Sequence, residues 1–398
     1  MKNDSVNSIP PSEKDFIRVF SQVFQFKNKA LLSGSEFDDC AAIRLNSFCN
    51  DLNGESLTFS TDTVRESSDF PSGMTAWQKG WMAAAVNLSD LAAMGSKPVA
   101  FLFSAGLPAN FSLEDAENLA SGIQECVSFF GAEVIGGDTE RCDELTITGT
   151  VIGISENKSL LLRKNAKPDD LLCLTGFSGS AGVALSVLLN EISLKSDSVF
   201  VSQSSKSDLD SFLKNLTEPF PRVFEGMMLS EIAKTGAVTS MIDTSDGLAS
   251  SVYELSSLSG VCFEIDAQSL PLDDKALKIL SDCLIDDENN SKNHENVRRA
   301  LIHEALYTGG DFELLFTISP DKLNDIKEVF ENFNLSADND CRLSTLSSSG
   351  KSGRFPCKFT VIGKAIAESE NVILTQSDFS KIRQPLLKKG YDSFKKYI

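Results

Sequence analysis

The chain has 398 residues, a net charge of −19, 41% hydrophobic and 23% charged residues. This is an ordinary globular composition, long enough for about two to three domains. The acidity argues against nucleic acid, whose phosphates need Lys and Arg, and against anionic membranes. Nine cysteines without a C-x-x-C pair point to reduced thiols in a cytoplasmic protein. With only His294 and His303 in the chain, Ser-His-Asp chemistry and His-rich zinc sites lack their parts.

Residues 1–12 read as a polar tail without the apolar core of a signal peptide, and "EKDFIRVFSQVFQ" as a short amphipathic helix. "ESLTFSTDTV" alternates as a strand. "WQKGWMAAAVNLSDLAAMG" reads as a helix within 75–95. Its Trp77, Trp81, Ala84, Leu88 and Leu91 form a buried stripe, and Ala83, Asn87, Asp90 and Met94 form a second one. A carboxylate on such a helix requires a polar or cationic partner, because burying it alone is costly. "PVAFLFSAGL" is an apolar strand, too short to span a bilayer. "SLEDAENLASGIQECVSFFG" has a Ser N-cap, an acidic first turn and a terminal glycine, so it reads as a helix. "AEVIGGDT" and "ELTITGTVIG" follow as strands.

A domain boundary falls near residues 160–170. "LLCLTG" then reads as a strand entering the glycine turn "GFSGSAG", and "AVTSMIDTSDGLASSVYELSSLSG" as strand, loop and helix. Residues 192–212, 286–299 and 344–353 read as polar surface insertions. Strands and helices mix without a strict βαβ rhythm, which gives an α+β class.

Acidic residues recur beside apolar strands: Asp38 and Asp39, Asp62, Asp138, and Asp243 with Asp246. Each alone reads as a turn former or helix cap, Asp246 as the cap of a helix starting near Gly247 and Asp138 as a turn after two glycines. Together, with no basic residue interleaved, they read as a set of hard oxygen ligands suited to magnesium or calcium. Magnesium takes a few carboxylates plus phosphate oxygens, so a nucleotide is the natural companion. "GFSGSAG" does not have dinucleotide-binding spacing, and P-loop and protein-kinase motifs are absent from the sequence.

"FDDCAAIRL", "STDT", "NLSDLAAMGSKP", "IGGDTER", "IDTSDGL", "TGGDFELLFT" and "GYDSF" occur in the order found in the thiamine-monophosphate kinase family, which the chain resembles over roughly residues 30–395. That family belongs with aminoimidazole-ribonucleotide synthetase and selenophosphate synthetase. The resemblance implies a two-domain PurM-like fold. An N-terminal tail and helix (1–29) would precede an ATP- and Mg-binding dimerisation domain (30–164), whose strands join a dimeric β-barrel. A C-terminal α+β sandwich (165–398) would follow. It implies Mg2+-dependent transfer of the ATP γ-phosphoryl group directly to thiamine phosphate, in a cytoplasmic homodimer, with potassium a candidate additional ion.

By motif position the resemblance assigns metal ligation to Asp39, Ser60, Thr61, Asp62, Asp90, Asp138, Asp243 and Asp246. It assigns ATP contacts to Gly137, Asp138, Arg163 and Ser245, and substrate contacts to Asp69, Gly310 and Tyr391. The acceptor is an ionised phosphate, so no general base is required, and metal ions reverse the local charge of an acidic protein. Three positions depart from the family pattern. Phe37 replaces a glycine, Asp69 stands where a histidine is common, and Gly310 where a glutamate is expected. Two alternatives follow: another ATP-dependent member of the superfamily with a changed acceptor, or a non-catalytic Mg-nucleotide-binding module.

Overall fold

The computed structural model describes residues 31–33, 40–44, 55–189, 191, 206–284, 290–337, 358–367, 374–376 and 383–390. Asp38, Asp39, Tyr391, the N-terminal helix and the insertion at 344–353 lie outside the described residues.

The first sheet contains β1 (Leu31–Ser33), β2 (Ala41–Arg44), β3 (Glu55–Arg65), β4 (Lys97–Leu107), β5 (Glu133–Arg141) and β6 (Thr146–Glu156), in the order β1-β2-β3-β6-β4-β5. Helices α1 (Ala76–Ala93) and α2 (Leu113–Phe129) complete this half. β6 alternates strictly. Ile147 and Val151 are buried on one face, while Thr148 and Thr150 face outward and meet Thr63 and Thr61 of β3 at 2.9 and 3.0 Å. The inner face of the sheet packs under α1.

α1 begins at a reciprocal capping box. The Gln78 amide donates to the Thr75 hydroxyl at 3.2 Å, and the Thr75 amide donates to the Gln78 side chain at 3.0 Å. Trp81, Ala84, Leu88 and Leu91 are buried, as their spacing predicts, while Trp77, at the start of the stripe, is only half-buried. α2 lies close against α1 because neither Gly80 nor Gly122 carries a side chain. A Cβ at Gly80 would stand 2.1 Å from the Leu119 carbonyl oxygen, and one at Gly122 2.0 Å from that of Trp77.

The second half supplies β7 (Leu171–Thr175), α3 (Ser180–Leu188), α4 (Lys206–Thr217), α5 (Val223–Ala233), β8 (Val238–Asp243), α6 (Leu248–Ser259), β9 (Cys262–Asp266), α7 (Asp274–Leu284), α8 (Asn290–Tyr307), β10 (Leu314–Ile318), α9 (Leu323–Ala337), β11 (Phe359–Ile366), β12 (Leu374–Gln376) and β13 (Arg383–Pro385). The strands form one sheet in the order β13-β12-β9-β11-β7-β10-β8. The class is α+β, as expected.

Two stretches that read as surface insertions run into helices, and each buries one described residue of its own, Phe212 and Val297, the rest of the stripe lying beyond them. α4 occupies part of 192–212 and buries Phe212 and Leu216, one helical turn apart. α8 occupies most of 286–299 and buries Val297, Leu301 and Ala305 at the same spacing. The surrounding Ser, Asp and Asn mask a stripe that only the tertiary packing makes evident.

The halves meet where α5 crosses α1. A Cβ on Gly226 would stand 2.2 Å from the Ala92 carbonyl oxygen, so glycine permits backbone-to-backbone contact there. Trp81 donates its indole N–H to the Pro219 carbonyl at 2.7 Å, and an aromatic group of Phe129, Phe130, Phe220 and Phe224 fills the seam.

Candidate functional site

The polar residues of α1 find partners on both sheets. Asn87 is fully buried; its amide group donates to the Ala83 carbonyl at 3.0 Å, and its oxygen accepts the backbone N–H of Asp62 at 3.0 Å. It reaches β3 because Gly149 lies opposite Asp62 in the register; a Cβ there would stand 2.3 Å from the Asn87 nitrogen. One residue pair further along, the Ser60 hydroxyl donates to the Asp90 carboxylate. Ser89, fully buried, donates to Asp243 Oδ2 at 2.6 Å. The Ser245 hydroxyl donates to the other carboxylate oxygen, Oδ1, at 2.9 Å. Adjacent residues of one helix turn therefore link α1 to both sheets, Asp90 to Ser60 of β3 and Ser89 to Asp243 at the end of β8. This explains why a helix otherwise built for burial carries the polar run Asn87–Asp90.

Asp243 ends β8, 4% exposed, and the loop after it is held from the other side. Thr244 exchanges backbone and side-chain bonds with Glu313. The Thr244 N–H donates to the Glu313 carbonyl at 2.9 Å, and the Glu313 N–H donates to the Thr244 hydroxyl at 3.1 Å. The Gly310 N–H donates to the Ser245 carbonyl at 2.9 Å, and a Cβ on Gly309 would stand 2.2 Å from that same oxygen. Asp246 is exposed. It does not cap the helix that follows: α6 has Gly247 at its N-cap, with no side-chain cap bond. Gly390, just before Tyr391, lies against this loop, since a Cβ on it would stand 2.5 Å from the Asp246 carbonyl oxygen.

The other expected residues stand as follows. Thr61 donates to the Gly149 carbonyl at 2.7 Å on the outer face of the sheet. Gly137 and Asp138 lie inside the edge strand β5 rather than in a turn, with Asp138 exposed and opposite Ser104. The registers place Asp62, Gly149, Phe103 and Gly137 in one row across β3, β6, β4 and β5. Three strand spacings separate the ends of that row by about 14 Å. Asp62 and the neighbour of Gly137, Asp138, thus stand too far apart along the sheet to hold a single ion together. Arg163 is half-buried and follows Leu162, whose carbonyl accepts the Met241 N–H of β8 at 3.1 Å. Among the described residues, no group of three or more His, Cys, Asp or Glu side chains stands close enough to hold a metal ion.

Asp69 accepts from the Arg65 N–H at 2.8 Å and the Ser68 hydroxyl at 2.6 Å, closing the turn that ends β3. Gly310 has φ +99°, a conformation that favours glycine, and an added Cβ would meet Leu216 and Ala181 at 3.2 and 3.3 Å. Beside it, Asp311 accepts the N–H groups of Gly179 (2.7 Å) and Ala181 (2.9 Å) and the Ser178 hydroxyl (3.3 Å), filling the N-terminus of α3. Burial pushes its carboxyl up to about 7, against the lowering effect of those two N–H groups.

Residues 37–155 match the family described as AIR synthase related protein, N-terminal domain. The chain is 37% identical over 289 residues to the thiamine-monophosphate kinase of Methanospirillum hungatei, covering 73% of this chain and 82% of that protein. The chain belongs to the thiamine-monophosphate kinase family. It is accordingly an enzyme, a kinase. The thiamine-monophosphate kinase of Bacillus subtilis is 31% identical over 317 residues, covering 79% of this chain and 81% of that one. In fold, the chain is similar to the solved structure of AaThiL complexed with AMPPCP and TMP, with TM-score 0.69, 20% identity, and coverage of 97% and 99% of the two chains.

The sequence marked the aspartates and, as expected site or face residues, Ser60, Ser245 and Asn87, which turn out to bond to Asp90, Asp243 and the Asp62 backbone. Ser89 had a visible signal, a hydroxyl between two other polar residues on a buried helix. Arg222 and Glu313 had none: they are separated by 91 residues and meet only through the tertiary fold.

Proposed function

We propose that this kinase transfers the γ-phosphoryl group of ATP to thiamine phosphate, giving thiamine diphosphate and ADP, with Mg2+ held by its aspartates. The observation that carries the reading is the pair of bonds at one turn of α1, Ser60 to Asp90 and Ser89 to Asp243, which ties acidic residues of both sheets to the same helix. The donor set is made of carboxylates and hydroxyls without histidine or thiolate, which suits a hard cation. Asp90, Asp243, Asp246 and Asp62, with Ser60, Thr61, Asp39 and Asp138, would hold the ions. When bound, Mg2+ neutralises phosphate charge and aligns the two reacting groups.

The remaining work is positioning. Asn87 fixes the backbone at Asp62, and the 308–313 loop fixes Ser245 through Gly310. Gly137, Asp138, Arg163 and Ser245 are the proposed nucleotide contacts. Asp69, Gly310 and Tyr391 are the proposed acceptor-side contacts, potassium a candidate additional ion, and the cytoplasm the proposed location. The acceptor phosphate is ionised at neutral pH, so in-line transfer requires charge stabilisation rather than a base. The threonine face of the first sheet, the exposed Val99 and Ile135, and the open edge of β5 support a homodimer through this sheet. A monomer by sedimentation at assay concentration would refute that pairing.

Incubation with Mg2+, ATP and thiamine phosphate tests the function. Thiamine diphosphate and ADP in equal amounts are expected, and no product at saturating substrate would remove the reading.

A further inference from the structure

We propose that the buried ion pair between Arg222 and Glu313 is a positioning device, locking helix α5, and through it the carboxylate-bearing turn of α1, to the loop that carries Asp243 and Asp246. The guanidinium grips the carboxylate with two prongs, Nε to Oε2 at 2.7 Å and Nη2 to Oε1 at 2.6 Å, with both residues nearly excluded from water. Arg222 also reaches Glu225 on the first turn of α5 at 3.4 Å. Glu313 Oε2 accepts the Thr175 hydroxyl at 2.7 Å, and Thr175 in turn accepts the Leu314 N–H at 2.8 Å, so the carboxylate is fixed to the end of β7 and the start of β10. The chain makes room for the pair at Gly176, where a Cβ would stand 2.1 Å from Glu313 and 2.6 Å from Arg222.

From this hub two paths lead to the site. The backbone of Glu313 brackets Thr244, the residue between Asp243 and Ser245. Arg222 is the N-cap of α5, whose Gly226 is in backbone contact with Ala92 of α1, one turn beyond Ser89 and Asp90. The pair reaches the carboxylates through other residues, Glu313 through Thr244 and Arg222 through α5. Stability alone is a weak reason for such a pair, because well-packed apolar residues of similar volume serve as well or better. A planar two-pronged contact fixes relative orientation, which is what joining α5 to the β8–α6 loop demands.

The proposal rests on the proposed function only for the identity of the bound species, so its primary readout is the affinity for Mg2+ with the non-hydrolysable analogue AMPPCP, measured by calorimetry. E313Q, R222M and the doubly apolar R222M/E313L are compared with the parent, alongside thermal melting and turnover with thiamine phosphate. E313Q and R222M are expected to lose affinity by about 10-fold, the low end of the cost of removing a direct partner of a metal ligand, because the pair acts one residue further out. Turnover is expected to fall with it. R222M/E313L is expected to recover the melting temperature of the parent without recovering affinity, which a purely structural role would not produce. If the single variants fail to fold, R222K keeps the charge, loses the two-pronged geometry, and carries the same test.

Any folded variant without the two-pronged pair that binds Mg2+·AMPPCP and turns over like the parent overturns the proposal. A parent that binds Mg2+·AMPPCP but makes no thiamine diphosphate refutes the acceptor alone; a parent that does not bind it refutes both.

Discussion

Replacing Ser89 with alanine isolates the bond that joins the two halves of the molecule at the site. Its hydroxyl is fully buried and donates at 2.6 Å to a carboxylate that is itself 4% exposed, across 154 residues of sequence. A hydrogen bond to a charged acceptor contributes about 1.5–3 kcal/mol, and water has no access to replace this one. Ser89→Ala should therefore destabilise the protein by about that amount. Ser245→Ala is the internal control. It removes the hydroxyl on the other oxygen of the same carboxylate, at 2.9 Å, but from a half-buried position that water can occupy, so its cost should stay below about 1 kcal/mol. Denaturant unfolding followed by tryptophan fluorescence is the assay. The chain's two tryptophans, Trp77 and Trp81, stack on α1 itself with ring centroids 5.4 Å apart, so the signal comes from the helix under test. An unchanged midpoint for Ser89→Ala, or an equal loss for Ser245→Ala, would show that α1 is not tied to the β8–α6 loop as described.

Asp90→Asn keeps an oxygen to accept the Ser60 hydroxyl but removes the negative charge. Turnover should drop by about 100-fold or more while the unfolding midpoint stays close to the parent's, and a near-normal rate would remove Asp90 from the site. Asp311 gives a pH signature. Its folded carboxyl sits above its ordinary 3.8, at about 7, so between those values the folded chain retains a proton that the unfolded chain has released. Stability should therefore fall as pH rises through that window and level off above it, by at most about 1.4 kcal/mol per pH unit from this group. Asp311→Asn should lack that component, and identical pH profiles for parent and variant would contradict the assignment.

The fold and the site were legible in the sequence to different depths. Strands announced themselves where one face is buried and the other open, as in the alternation of Ile147, Thr148, Gly149, Thr150 and Val151. The helix at Leu113–Phe129 was marked by a real cap, since the Asp115 N–H donates to the Ser112 hydroxyl at 3.0 Å. The helices at Lys206–Thr217 and Asn290–Tyr307 were hidden, because three or four buried residues in a polar window leave composition unchanged while still defining a face. At the site, Asp62, Asp90 and Asp243 could be picked out because small residues and apolar strands surround them. The side chains bonded to them, Ser60, Asn87, Ser89 and Ser245, could also be marked, but not the packing that brings them together. The registers that set Gly149 beside Asn87, and the contact that sets Gly226 on Ala92, exist only once the sheets and helices have packed. The glycine at Gly310 had a backbone reason, its positive φ, that no side-chain pattern reveals.

Acidic groups held by one turn of α1 and by the end of β8 are proposed to bind divalent cations for phosphoryl transfer. Anomalous diffraction from crystals grown with Mn2+ and AMPPCP tests it most directly. Manganese coordinated by Asp90 and Asp243 together with phosphate oxygens is the expected result; nucleotide bound with no metal at either carboxylate, or metal bound elsewhere, would contradict it.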